Sequence, residues 1–467
     1  MLMGLFLVYD NMALEADYLI VGAGAMGMAF ADVLVQESNA TAIVIDKTGM
    51  PGGHWNTAYP FVRLHQPSAF YGVNSMALGQ DRIDSDGLNK GLYELATDSE
   101  VCHYFQRVMV EKLLPSGRIE FIPNAELTRN GSVISTVTGQ VIELDVKKTV
   151  DATYMKVRVP SMRPPEFPIA EGIDCVPVNA LPEMAGPNRS YVIIGAGKTG
   201  MDACLWLLDK GVDPEHIRWI MPRDSWLLNR EFIQPFKLSE RTATGFAHQM
   251  HAFAHAPNVT ELFGILENAG QLFRIDPSRS PTMYRCATVT ELEIEQLRRI
   301  QGIIRKGRVT AVTPGKISLE QGSVEIGQDS VLIDCTADGL ANRPSRPIFN
   351  GNQITLQSVR TCQQVFSAAL IAHVEVTKTD EDRKNGICMP IPHPDTEIDY
   401  LRTSLGNARN GAVWAKDQEI STWLAASRLD GFSQAGIEPP TPTDEQLALS
   451  LKSLENLHHL LSESETS

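Results

Sequence analysis

Positive charge, paired cysteines and long apolar runs are all scarce in this chain. Its 41 Lys and Arg are outnumbered by 56 Asp and Glu, for a formal net charge of -15. That sign argues against nucleic acid or an anionic membrane as the main partner, because both favour basic surfaces. A local basic pocket for one phosphate stays compatible with it. No apolar run approaches the roughly 20 residues of a membrane-spanning helix. The opening "MLMGLFLV" has neither a basic leader nor a small-residue cleavage pattern, and residues 1–16 are expected to form a loosely docked extension. The seven cysteines, Cys102, Cys175, Cys204, Cys286, Cys335, Cys362 and Cys388, are scattered and include no CxxC. Such spacing suits a reducing compartment, with cytoplasm as the default, and predicts no disulfide framework. It also removes the adjacent pair on which disulfide reductases depend.

What the chain does contain is one pattern written twice. In "DYLIVGAGAMGMAFADVLV" an apolar strand, Tyr18 to Val21, is followed by Gly22, Gly24 and Gly27 in the order GxGxxG, and then by a helix. The first glycine permits a tight turn, the second lets backbone approach a pyrophosphate, and the third lets helix and sheet pack closely. The helix N-terminus then faces the phosphates with free N–H groups and a favourable dipole. A second strand, "TAIVID", ends in Asp46, placed to accept hydrogen bonds from ribose hydroxyls. The plain alternative is a glycine-rich turn that holds no ligand.

The repeat, "YVIIGAGKTGMDACLWLL", carries Gly195, Gly197 and Gly200. Its "GKT" invites a phosphate-loop reading, but Val192 stands where Walker A demands a glycine. The following strand, "IRWIM", ends in "PRD", so Arg223 occupies the neighbourhood where a ribose-binding acid would stand. A guanidinium there can grip a 2′-phosphate through two bonds. One charge-assisted bond of roughly 1.5–3 kcal/mol favours NADPH over NADH by about one to two orders of magnitude. The alternative is a strand-end arginine paired with Asp224. Two dinucleotide folds in one chain suit a carrier and a donor of hydride, namely FAD on the first fold and a nicotinamide cofactor on the second.

Between Asp46 and Tyr71 the sequence reads "DKTGMPGGHWNTAYPFVRLHQPSAFY". Here the chain resembles the flavin-containing monooxygenase superfamily. Gly52, Gly53 and Trp55 match its GGxW turn, and Tyr59, Arg63 and "LHQPSAF" match the aromatic, basic and LHxPxxF positions of some branches. "VDAT" at Val150 and "LIDCTADG" at Leu332 look like the family's crossings between domains. The likeness covers the core of roughly the first 370 residues. It implies an α/β fold of two Rossmann-like dinucleotide-binding domains, with the NAD(P) domain inserted into the FAD domain and a C-terminal helical cap added. The boundaries expected are 17–185 with 310–380 for the FAD domain, 186–309 for the NAD(P) domain with a helical insert, and 381–467 for the cap.

The activity implied is FAD-dependent oxidation of NADPH coupled to oxygenation of a small organic substrate by molecular oxygen, through a flavin peroxide. Gly52 and Gly53 bring backbone close to the flavin, and Trp55 can shield one face of its ring. Arg63, His65 and Gln66 can supply donors near the reduced ring, His65 and Gln66 being the catalytic candidates. One departure from the family stands out. Its histidine-bearing FxGxxxHxxxY/F segment should precede the second glycine motif, yet "PPEFPIAEGIDCVPVNALPEM" has no histidine. Two further readings therefore stay open, a flavoprotein reductase serving a non-oxygen acceptor and a flavin-binding redox sensor without turnover. Residues Arg241 to Lys306 read as mostly helical, with His248, His251 and His255 on one face as a solvated stripe or a cleft lining. No metal site is expected.

Overall fold

A computed structural model of the protein describes residues 13–155, 159–184, 186, 189–336, 343–431 and 443–466. Most of the expected 1–16 extension, and the end of "LIDCTADG", lie outside the described residues. In chain order the elements that matter here are β1 (Leu14–Val21), α1 (Ala25–Glu37), β2 (Ala42–Asp46), β3 (Ile119–Pro123), β4 (Leu144–Asp151) and β5 (Cys175–Pro177). Then come β6 (Tyr191–Ile194), α2 (Lys198–Asp209), β7 (Ile217–Ile220), α3 (Ser239–His255), α4 (Glu291–Leu297), β8 (Gly302–Ile304) and β9 (Val331–Asp334). The later ones are β10 (Phe349–Asn350), β11 (Gln353–Thr355), α5 (Gln364–Thr377), α6 (Glu397–Trp414) and α7 (Asp444–Thr466).

Two sheets carry the fold. The first runs β10-β11-β4-β1-β2-β3, parallel throughout except for the edge pair β10 and β11. The second runs β8-β7-β6-β9-β5 and is wholly parallel. Strands β2, β6 and β9 are buried along their full length, and they read as unbroken apolar runs because parallel sheets are covered on both faces. Helix α1 is buried from Met26 to Val35, and α5 from Val365 to Glu375. Each is buried nearly all round because they pack against one another over the first sheet, and the few polar groups so enclosed include Asp32, His373 and Glu375. The mixed α/β architecture with two Rossmann-like sheets and C-terminal helices is thus the one expected.

The sheets draw their strands from wider spans than the sequence boundaries. Strand β1 begins at Leu14, inside the segment expected to be an extension. The second sheet takes β5 and β9 from outside 186–309. The insert is less helical than expected, because Met283–Val289 forms a strand beside Ser225–Asn229. Its "MYRCATV" is interrupted by a bulge, where the register shifts between Trp226 and Leu228. Helix α7 lies along α3, where Ser453 donates to the Met250 carbonyl at 2.8 Å and Asn456 to those of Phe253 and Ala256 at 2.8 Å each. Among the described residues no helix is long and apolar enough to cross a membrane.

The expectation of no disulfide is corrected. Cys286 and Cys362 are bonded, with their Cα atoms 6.8 Å apart. Scattered spacing concealed the pair, because the bulge in Met283–Val289 and the turn before α5 bring together residues 76 apart.

Candidate functional site

The two glycine turns repeat each other bond for bond. At the first, Gly22 has φ +105° and donates to the Ile45 carbonyl at 2.8 Å. At the second, Gly195 has φ +122° and donates to the Ile220 carbonyl at 3.1 Å. A side chain cannot be added at Gly27 or Gly200, because its Cβ would run into the carbonyl oxygen of Gly22 or Gly195 respectively. Close contact of helix and turn thus explains the third glycine of each motif.

Both helices that follow are left open at the N-terminus. Neither Gly24 nor Gly197 receives a side-chain cap, and neither α1 nor α2 has an acid in its first turn. Elsewhere Thr97, Asn258, Thr290, Thr396 and Asp417 cap the helices they precede. Uncapped N–H groups beside a glycine turn are the donor set an anionic diphosphate fits.

Asp46 lies at the first turn but is heavily engaged. Its Oδ2 accepts the Ala23 N–H at 2.8 Å, and Oδ1 accepts the Thr48 N–H at 2.8 Å and its hydroxyl at 2.7 Å. Three acceptor positions are therefore used in bracing the turn, and one remains for a ribose hydroxyl. Gly53 arrives from the connector with φ +60°, and a Cβ there would come 2.9 Å from the Gly24 Cα. The GGxW turn is thereby pressed against the first cradle. Trp55 follows, buried, with its indole N–H donating to the Tyr71 hydroxyl at 2.7 Å.

The same connector ends at the second cradle. The Tyr59 hydroxyl donates to Asp202 Oδ2 at 2.7 Å, and Phe61 stacks on Trp206 at 5.2 Å between ring centroids. Asp202 also pairs with Lys198, the first residue of α2. Lys198 Nζ lies 3.5 Å from Glu293 Oε1, and Arg230 Nη2 lies 3.0 Å from Glu293 Oε2. Arg230, only 1 % exposed, also donates to the His65 carbonyl at 2.8 Å. A buried ionic cluster therefore fills the space between connector, second cradle and insert.

At Lys198 and Glu293 burial opposes charge, and the pairing decides the outcome. For Lys198 the carboxylates of Asp202 and Glu293 outweigh desolvation and its pKa is raised. For Glu293 the cations Lys198 and Arg230 outweigh it and the pKa is lowered. His65 has only Glu293 to favour its charge, and that falls short. Burial, reinforced by the Lys198 and Arg230 charges, pushes it down to about 3, so its imidazole is neutral at neutral pH. His54, beside Trp55, is pushed by burial to about 4.

The remaining expected residues lie apart. Arg63 is exposed and its backbone bridges Thr97. Gln66 is half-buried two residues beyond Leu64 in the connector. Arg223 is not paired with Asp224; it makes a two-pronged contact with Asp395, at 3.0 and 2.9 Å, while Asp224 pairs with Arg305. Two hydrogen bonds from Arg223, against the cost of burial, pull Asp395 to about 2, with Arg285 adding to the effect. His251 and His255 are exposed on α3, with His248 half-buried against Phe232. Sequence reading missed Lys198, Asp202, Arg230 and Glu293 as a group. Lys198 and Asp202 are visible as an i,i+4 pair, and Glu293 as the third residue after the Thr290 cap, whereas nothing local marks Arg230.

Comparison with known proteins adds relatives to this geometry. A family model described as "NAD(P)-binding Rossmann-like domain" matches residues 20–79, the first cradle and its connector. The uncharacterized protein Rv2000 of Mycobacterium tuberculosis is 49% identical over 418 residues, covering 89% of this chain and 78% of the relative. The uncharacterized protein Mb2023 of Mycobacterium bovis matches to the same extent. The chain belongs to the family of these mycobacterial proteins. Among solved structures, the cyclohexanone monooxygenase from Rhodococcus sp. Phi1 bound to NADP+ is similar at 15% identity and a TM-score of 0.47, over 97% of this chain and 98% of that one. An oxidized steroid monooxygenase bound to NADP is similar at 13% identity and a TM-score of 0.47, over 78% and 85%. At these scores the structural likenesses assign no chemistry to members of the mycobacterial family.

Proposed function

We propose that the protein is an FAD-dependent oxidoreductase that takes a hydride from NADPH and acts as a monooxygenase on a small organic substrate, with molecular oxygen as the second partner. FAD is assigned to the first cradle and NADPH to the second, in a cytoplasmic setting. One observation carries the reading. A single connector runs from Gly53, pressed on the first open helix end, to Tyr59 and His65, packed against the second. Two diphosphate-shaped cradles sharing one short wall suit two dinucleotides whose rings meet. The flavin-containing monooxygenase resemblance of that connector points the same way, and the NAD(P)-binding Rossmann-like match over residues 20–79 supports a dinucleotide fold at the first cradle.

Bound flavin would supply hydride acceptance and onward electron transfer; the chain's own residues bind, orient and exclude water. The N–H groups at the starts of α1 and α2 hold the diphosphates. Trp55, fixed by its bond to Tyr71, provides a rigid aromatic wall beside the first cradle. His65 offers a neutral imidazole, able to donate or accept one hydrogen bond without carrying charge. Lys198, held between Asp202 and Glu293, keeps a fixed cation at the mouth of the second cradle.

A second reading, electron delivery to a non-oxygen acceptor, is favoured by the missing histidine in "PPEFPIAEGIDCVPVNALPEM". NADPH oxidation measured with and without oxygen separates the two. Oxidation that stops under argon supports the first reading, and oxidation sustained anaerobically by an added quinone supports the second. NADPH left unconsumed in both arms overturns each of them and leaves a flavin-binding sensor.

A further inference from the structure

Cys286, Cys362 and His393 meet at a place that the cofactor reading does not use. The Cys286–Cys362 bond joins the strand Met283–Val289 of the insert to the turn before α5, and α5 packs on α1 of the first fold. Both half-cystines sit in the left-handed backbone region, Cys286 at φ +56° and Cys362 at φ +60°. That conformation is uncommon for a residue with a Cβ and is concentrated at functional positions. Cys286 stands in the bulge between the Trp226 and Leu228 registers, which turns it out of the ladder. The Cys362 Sγ lies 3.7 Å from His393 Nδ1. All three side chains are half-buried and therefore within reach of solvent.

The surroundings favour a thiolate at Cys362. It directly precedes Gln363, the N-cap of a 14-residue helix that has no side-chain cap and no acid in its first turn. A helix N-terminus and a neighbouring imidazole both stabilise a sulfur anion. Cys204, Cys335 and Cys388, by contrast, are buried and burial pushes each thiol up. On the Cys286 side, Arg285 and Arg223 converge on Asp395, two residues from His393, so the site lies against a charged clasp.

We propose that Cys286, Cys362 and His393 form a reversible thiol–disulfide site that reacts with low-molecular-weight thiols and, when closed, locks the insert onto the first fold. In the opening direction a thiolate attacks the Cys286 Sγ, the sulfur–sulfur bond breaks, and the electron pair leaves on Cys362. The helix terminus holds that charge and His393 delivers the proton. A second thiol then attacks the outer sulfur of the mixed disulfide, releasing Cys286 as a thiol. In sum, two external thiols are oxidised to one disulfide, and two electrons and two protons pass to the cysteine pair.

Differential alkylation of the full chain, equilibrated in graded mixtures of reduced and oxidised glutathione and read by peptide mass spectrometry, tests this without any cofactor. Cys286 and Cys362 are expected to become labelled together, in one two-electron transition, with a Cys286–Cys362 linked peptide at the oxidised end. His393→Gln should slow opening by about tenfold near neutral pH, a modest share of what a positioned proton donor contributes, while the linked peptide still forms. Unequal labelling of the two cysteines, or no linked peptide in the oxidised sample, overturns the proposal. So does reduced protein that retains zinc in equal proportion and thereby shields both sulfurs, which would make the cluster a metal site. An unchanged opening rate in His393→Gln overturns the role given to that residue.

Discussion

Replacing Glu293 by alanine probes the ionic cluster that joins the connector to the second cradle. The side chains of Glu293 and Lys198 are each 10% exposed and that of Arg230 1%. The carboxylate that is lost serves both cations, at 3.5 and 3.0 Å, and also accepts the Thr290 N–H at 2.7 Å. Removing one partner of a buried ion pair costs ~3–5 kcal/mol, because the other charge is stranded. Asp202 still faces Lys198, and Arg230 keeps the His65 carbonyl at 2.8 Å and the Thr288 carbonyl at 3.2 Å. The low end, ~3 kcal/mol, is therefore expected. Urea unfolding followed by tryptophan fluorescence measures it. In a Lys198→Met background the same substitution should cost ~1 kcal/mol less or better, since a stranded cation is no longer present. The pH dependence has a definite sign. Glu293 has a folded pKa below its ordinary value, so its contribution is present above the unfolded value of roughly 4.3 and is lost as pH falls through the folded value. The wild type should thus lose more stability on acidification below about pH 4 than Glu293→Ala does. A loss under ~1 kcal/mol at neutral pH, or strict additivity with Lys198→Met, would refute the reasoning.

Three further outcomes are expected. Gly53→Ala, which forces a Cβ to 2.9 Å from the Gly24 Cα at φ +60°, should lower flavin retention by at least about tenfold, read as flavin absorbance per protein; normal flavin content would remove Gly53 from the first cradle. Gly200→Ala should leave flavin content intact while abolishing reduction by NADPH, because its Cβ meets the Gly195 carbonyl; loss of both functions together would mean global misfolding instead. Arg223→Ala should cut the preference for NADPH over NADH by about tenfold or more, measured as the ratio of apparent affinities. An unchanged ratio would confine Arg223 to its contact with Asp395.

Local chemistry made the cradles legible in advance. A glycine that must adopt positive φ, or that leaves no room for a Cβ, announces itself in the sequence, and Gly22, Gly27, Gly53, Gly195 and Gly200 all act for those reasons. The apolar strands and the helices α1 and α2 were equally plain, because buried parallel sheets impose continuous apolar runs. What stayed hidden depends on long-range closure. Strand β9 joins the second sheet, not the first, because pairing partners far apart in sequence decide sheet membership. The pairing of Arg223 with Asp395 spans the insert and the C-terminal region, so the nearer Asp224 was the natural but incorrect partner. Arg230 and Glu293 meet only after the insert folds back, and Cys286 finds Cys362 only through a strand bulge. Asp46 was found at the expected turn, yet its use of three acceptor positions on the chain itself was not readable from spacing.

The central claim is that the two cradles hold FAD and NADPH with their rings in contact across one connector. The purified protein, reconstituted with FAD and freed of oxygen, is titrated with NADPH while flavin absorbance is followed. The account predicts a yellow protein that bleaches on addition of about one equivalent of NADPH, since one hydride reduces one flavin. A protein that takes up no flavin, or one that binds flavin and stays yellow in excess NADPH, would contradict it.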